Sequence, residues 1–199
     1  MNRPIQLGEQ TRVVFHQQKG GTVNRNMSTG RDRRGHPGNW ARNNPVNKNR
    51  LDSQTQNRLR NWRGQTLSVA DARRFHHDHC DGHHHGHDWW NHNCWPVILI
   101  DWGWWGWYDG WWYPAWGYDP YYSDYEYNGP IYGYDGLPPD EVVANVQGEL
   151  QRRGYFSYAV DGKLGPQTQA ALNRYQRDNH LPITGTIDPA TVGSLGLVY

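Results

Sequence analysis

Two stretches decide the fold of the C-terminal third. The first is Val160-Asp161-Gly162-Lys163-Leu164-Gly165-Pro166-Gln167-Thr168, leading to Leu172, and the second is Ile183-Thr184-Gly185-Thr186-Ile187-Asp188-Pro189-Ala190-Thr191, leading to Leu195. Matched positions are offset by 23 residues. Each copy places an apolar residue, a turn glycine, a second apolar residue, then proline and threonine. Proline suits the first position of a helix, where its missing N–H would have no partner anyway. Asp188 is a good N-cap and Gly165 an acceptable one. Each copy therefore predicts a tight turn feeding a helix. The first helix carries Ala171, Leu172 and Tyr175 inward, and the second Val192 and Leu195.

Upstream, Pro139-Asp140 opens a further helical pattern. Val142, Val143, Val146 and Leu150 fall on one face, and Gly154 ends it. Three helices and two ordered turns in about 60 residues lie near the lower size limit for independent folding. The fold class expected is a small all-α three-helix C-terminal domain at 137–199. An aromatic β-hairpin-like segment and a largely disordered basic N-terminal region precede it.

The residues Val146-Gln147, Leu150, Gly154-Tyr155, Val160-Asp161-Gly162, Leu164-Gly165-Pro166, Thr168, Ala171-Leu172, Tyr175-Gln176, Leu181, Thr184-Gly185, Asp188, Thr191 and Leu195 resemble the peptidoglycan-binding domain of cell-wall hydrolases and envelope proteins. Tyr175 stands where that family often has Phe. The resemblance implies a three-helix fold that holds a protein on peptidoglycan, and hence a place in the cell envelope, periplasm or wall. Gly162, Gly165 and Gly185 read as turn residues. Asp161 reads first as a turn residue bonding its own backbone. Candidates for ligand contact are Tyr155, Tyr158, Asp161, Lys163 and Arg174. Sugar faces stack on aromatic rings, and peptide carboxylates need donors.

Residues 95–136 hold most of the 12 Trp and 13 Tyr. Pro96–Tyr108 and Trp111–Trp116 flank Asp109-Gly110, a pair suited to the two positive φ angles of a type I′ turn, so a β-hairpin is expected. Tyr118 to Gly136 then reads as an extended linker. Three roles for the rings stay open: packing on one another, stacking on glycan, or meeting a membrane interface.

Residues 76–94 are rich in histidine and contain both cysteines. His76, His77, His79, His83, His84, His85, His87 and His92 are candidate ligands for Zn, Ni or Cu, although the spacing matches no structural zinc motif and no cofactor is required. In an oxidising compartment Cys80 and Cys94 would pair as a disulfide, and in a reducing one they would be free thiols or metal ligands. Two helices are expected over 47–79, one spanning 47–63 and one running from Ser68 to about His77. The second opens with Ser68-Val69-Ala70-Asp71, which has capping-box spacing.

Charge is strongly segregated. Residues 1–75 carry 15 Lys and Arg against 4 Asp and Glu, whereas residues 76–139 carry no Lys or Arg and 9 Asp and Glu. The basic region 1–46, rich in Gly, Pro, Arg and Asn, reads as disordered. It would suit an anionic envelope polymer, with nucleic acid the less favoured partner, or it would pair loosely with the acidic zone that follows. Met1–Gly20 lacks the apolar run of a signal peptide. That conflicts with an envelope location, and a coding start upstream of Met1 would reconcile the two. No stretch has the 18 or more apolar residues of a spanning helix.

No G-x-S-x-G, H-E-x-x-H or matched Cys/His signature occurs. The expectation is a non-catalytic envelope protein that binds peptidoglycan through its C-terminal module. The alternative is a His-rich metal- or polyanion-binding protein whose C-terminal module is only structural.

Overall fold

The computed structural model describes residues 51–62, 64–82, 84–101, 103–120, 125 and 127–198. The basic region 1–46, the first residues of the helix expected over 47–63, and His83 lie outside this set.

Two short helices lead. Helix α1 spans Ser53–Arg60, capped by Asp52, whose carboxylate accepts from Thr55 N at 2.7 Å. Helix α2 spans Val69–His79, two residues beyond the expected end. Ser68 caps it by accepting from Asp71 N at 3.1 Å, while its hydroxyl donates to Asp71 Oδ2 at 2.8 Å. The capping-box spacing is thus used, with the shorter aspartate meeting the serine hydroxyl itself. A third helix, α3 at His87–Asn93, lies inside the His-rich tract and anchors it through the fully buried Trp90.

The aromatic tract forms more than a hairpin. Strands β1 (Val97–Ile100), β2 (Gly103–Tyr108), β3 (Trp111–Pro114) and β4 (Ile131–Tyr132) make one antiparallel sheet in sequence order. The β2–β3 turn is the expected two-residue connection. Tyr108 pairs with Trp111, and Asp109 and Gly110 have φ of 43° and 90°. The first expected strand breaks at Asp101 into two paired strands. The segment read as a linker carries β4 and three buried anchors, Tyr127, Ile131 and Tyr134.

Side chains alternate across a strand with a period of two, and this divides the tryptophans between the two faces of the sheet. Trp105, Trp107 and Trp112 face one core with Ile98, Ile100 and Leu59. Trp104, Trp111 and Tyr113 face the other with Ala72, Cys80, Trp90 and Cys94. Rings meet in edge-to-face pairs such as Trp107–Trp112, at 5.1 Å and 71°. Gly106 lets α3 approach the second face, since a Cβ there would lie 2.9 Å from Cys94 Cβ and 3.2 Å from Trp90.

The C-terminal module has the three expected helices: α4 (Pro139–Arg152), α5 (Pro166–Asp178) and α6 (Pro189–Ser194). Its apolar faces join the first core. Val142, Val146, Leu150, Leu172, Val192 and Leu195 are continuous with Trp105, Trp107 and Trp112. Tyr132 N also donates to Ile187 O at 2.9 Å, tying β4 to the second turn of the module.

Cys80 and Cys94 lie in the second core. Both are free thiols and fully buried. Burial pushes both thiols well above the usual range.

Candidate ligand-binding site of the C-terminal module

Each turn of the repeat is closed by a buried glutamine from the preceding helix. Gln147 of α4 donates through Nε2 to Asp161 Oδ1 at 2.8 Å, Lys163 O at 3.0 Å and Thr168 Oγ1 at 3.0 Å. Its Oε1 accepts from the backbone N–H groups of Asp161 and Gly162 at 3.0 and 2.9 Å. Gln176 of α5 repeats the pattern, donating to Thr184 Oγ1, Thr186 O and Thr191 Oγ1 at 2.9, 3.1 and 2.9 Å. Its Oε1 accepts from the N–H groups of Thr184 and Gly185, both at 2.9 Å. One carboxamide thus satisfies each turn and fastens it to the next helix.

The repeat extends to burial. Leu164 and Ile187 are fully buried, whereas Val160 and Ile183 are 43% and 56% exposed. The first apolar residue of each copy faces solvent, and the second fills the core.

The two turns differ in what covers them. Arg73 of α2, Tyr127 and β4 overlie the second turn: Arg73 Nη2 donates to Thr184 O at 2.7 Å, and Tyr127 OH to Thr186 Oγ1 at 3.3 Å. The first turn stays open on a groove of about 420 Å³ lined by Gln147, Phe156, Asp161, Lys163, Gly165, Pro166, Gln167 and Thr168. Asp161 Oδ1 accepts from Lys163 N at 3.0 Å, the local turn bond expected of it. Burial opposes ionisation of Asp161, but the bonds from Gln147 and the Lys163 N–H outweigh it and hold the carboxyl below the usual range. The groove therefore offers a fixed carboxylate beside a lysine, with carboxamide and hydroxyl groups along one wall.

The five contact candidates separate. Asp161 and Lys163 line the groove. Tyr158 is 51% exposed, with its ring 5.6 Å from that of the lining residue Phe156. Tyr155 and Arg174 belong to another cluster. Tyr155 packs edge-on against Tyr175 at 5.2 Å, and the Arg174 guanidinium donates to Tyr155 O. The hydroxyl of Tyr175 stands 2.8 Å from Ser194 Oγ, which gives the extra oxygen at this position a partner. The sequence reading missed Phe156, Gln167 and Thr168 as lining residues. Apolar or helix-forming patterns do not report which of them edge a groove.

The histidines are spread through the structure. His76 is buried and hydrogen-bonds Asn128 Oδ1 at 3.0 Å, and burial pushes its imidazole below the usual range. His79 stacks on Phe75 at 4.5 Å and on Trp89 at 5.6 Å, and His85 stacks on Trp89 at 3.8 Å. His84 meets Trp116 edge-on and His87 packs on Tyr118, while His77 bonds Asp78 and His92 is exposed. Among the described residues, no group of three or more His, Cys, Asp or Glu is arranged to hold a metal ion. No helix among them is long and apolar enough to cross a membrane.

Comparison with known proteins fits this geometry. Residues 139–195 match a family model described as "Putative peptidoglycan binding domain". The chain is 38% identical over 71 residues to the N-acetylmuramoyl-L-alanine amidase CwlM of Mycobacterium tuberculosis (strain ATCC 25618 / H37Rv). That alignment covers 36% of this chain and 16% of the amidase, so the chain spans about a sixth of the curated relative's length. No solved structure matches. The matched segment starts at the first residue of α4 and ends just past α6, so the chain carries a peptidoglycan-binding domain at residues 139–195.

Proposed function

We propose that this protein is a non-catalytic component of the bacterial cell envelope that holds peptidoglycan through the groove at the first turn of its C-terminal module. One observation carries the reading. The segment matching the peptidoglycan-binding family contains two equivalent turns, and the preceding part of the chain covers the second while leaving the first open. Lys163 and Gln167 at the groove edge suit the carboxylates and amides of a wall peptide, and Tyr158 suits a sugar face. Two features support a binding role. The buried polar side chains Gln147, Thr168, Gln176 and Thr191 bond the turns, and both thiols are buried and held protonated. The amidase relative resembles this chain over only a small part of its own length.

The test is co-sedimentation of the full chain with purified murein sacculi, alongside Lys163→Ala and Tyr158→Ala/Gln167→Ala. Retention of the parent and a loss of roughly 3–10-fold in the variants is expected, the size of one or two exposed charged or stacking contacts. Equal retention of all three proteins, or none, removes the groove from consideration. Soluble muropeptides released from the sacculi during incubation would overturn the non-catalytic reading.

A further inference from the structure

The covered second turn is not sealed. A cleft of about 320 Å³ lies between it, α2 and the Tyr127–Pro130 segment. Its walls come from parts of the chain far apart in sequence: Arg73 and His76 of α2, Asn128, Gln169 and Asn173 of α5, and the turn residues 184–186. We propose that this cleft is a second binding site, selective for a peptide ending in a free α-carboxylate. Naming that ligand as a stem peptide of peptidoglycan rests on the function proposed above.

The chemistry of the walls selects the class. Among the described residues that line it, Arg73 contributes the only formal positive charge and none is a carboxylate. Both bonds that hold Arg73 to the turn, to Thr184 O at 2.7 Å and Thr186 Oγ1 at 3.1 Å, go through Nη2. The guanidinium is thereby fixed in place, and its Nη1 and Nε donors offer a carboxylate a held positive charge with single hydrogen bonds rather than a paired fork. The carboxylates bonded to the lining are already engaged. Asp81 accepts from Asn128 Nδ2 at 3.1 Å, and Asp188 accepts from Thr184 Oγ1 and Thr191 N at 2.6 and 2.8 Å.

Burial disfavours a second charge on His76. Because Asn128 Nδ2 donates to Asp81, its Oδ1 is the acceptor, and His76 Nε2 donates to it. One cation suits one negative charge better than a phosphate-rich polymer. The carboxamides of Gln169 and Asn173 offer both a donor and an acceptor to a peptide backbone. A sugar would need a ring face, and the only aromatic residue in the lining apart from His76 is Tyr127, buried at 6% exposure.

The probe is Nα-acetyl-Lys-D-Ala-D-Ala with a free carboxylate, compared with the same peptide amidated at its C-terminus. Binding to the full chain is followed by NMR at the side-chain amides of Gln169 and Asn173. The acid is expected to shift both, with the amidated peptide at least about 10-fold weaker. Arg73→Gln is expected to lose about 10-fold for the acid, and Arg73→Lys less, because lysine keeps the charge but loses the two bonds that fix it to the turn. Should Arg73→Gln lose its dispersed amide spectrum, Asn173→Asp replaces it, placing a like charge in the cleft at constant volume. Equal binding of acid and amide, or no shift with either, overturns the proposal. Sacculus retention separates the two ideas. A protein retained on sacculi but indifferent to the carboxylate loses only this cleft, and one that binds the acid but not sacculi loses only the peptidoglycan reading.

Discussion

The carboxamide nitrogen of Gln147 donates to Thr168 Oγ1 at 3.0 Å, and that bond joins α4, the first turn and α5 at one point. The same nitrogen holds Asp161 and Lys163, and its oxygen holds two backbone N–H groups. Gln147→Leu would strand these groups without partners. A loss of about 2–4 kcal/mol in urea unfolding is expected, since each stranded buried polar group costs roughly 1–3 kcal/mol and water recovers part of it. A change under about 0.5 kcal/mol would show that the network adds nothing to stability.

Leu172 is fully buried in the core that also holds Trp105, Trp107 and Trp112. Leu172→Ala should cost roughly 2–5 kcal/mol. Because sheet and module share this core, tryptophan fluorescence and far-UV circular dichroism should report one coincident, lowered transition. Two separated transitions would mean that the sheet and the module unfold independently.

At Gly106 a methyl group would meet Cys94 Cβ and the Trp90 ring. Gly106→Ala is expected to destabilise by about 1–3 kcal/mol through overpacking and to change the near-UV spectrum of the buried tryptophans. A spectrum and midpoint equal to the parent's would contradict the close approach of α3 to the sheet.

The thiols should be silent until the fold opens. Burial pushes Cys80 and Cys94 upward, so the native protein should react with no equivalents of a thiol reagent and the denatured, unreduced protein with two. No reaction after denaturation would identify a disulfide instead.

His76 makes stability depend on pH. Burial first, and the nearby His77 to a lesser degree, lower its pKa from the ordinary 6.5, against the bond to Asn128 and the charge of Asp81. The unfolded chain therefore takes up a proton near 6.5 that the folded chain takes up only at lower pH. Stability from this group is present above that value and is lost as pH falls from about 6.5 toward the folded pKa. His77, exposed and shifted upward by Asp78, acts in the opposite direction. Replacing His76 with Gln should flatten the fall in midpoint between pH 7 and 5, and an unchanged slope would assign the effect elsewhere.

Local patterns identified much of this architecture. Proline after a glycine or aspartate marked the starts of α5 and α6, Asp109-Gly110 marked the β2–β3 turn, and Ser68 marked the start of α2. Each depends on φ angles and hydrogen bonds within a few residues. Within the ligand-contact set, Asp161 and Lys163 were identifiable because the turn itself places them at the groove. Tyr155 and Arg174 were not separable from them, because their contacts with Tyr175 and with each other depend on how α5 packs.

The sequence by itself determined the three-helix module, its two turns 23 residues apart, and its likeness to a peptidoglycan-binding domain, because helix starts, turn glycines and apolar spacing are short-range properties. Only the tertiary structure decided that the two turns differ, with Arg73 and Tyr127 covering the second and leaving the first open. It also decided that the tryptophans divide between two cores and that the presumed linker supplies β4. The covering of the second turn depends on contacts more than 50 residues apart along the chain, Arg73 with Thr184 and Tyr127 with Thr186, and such distant contacts leave no periodic trace in the sequence.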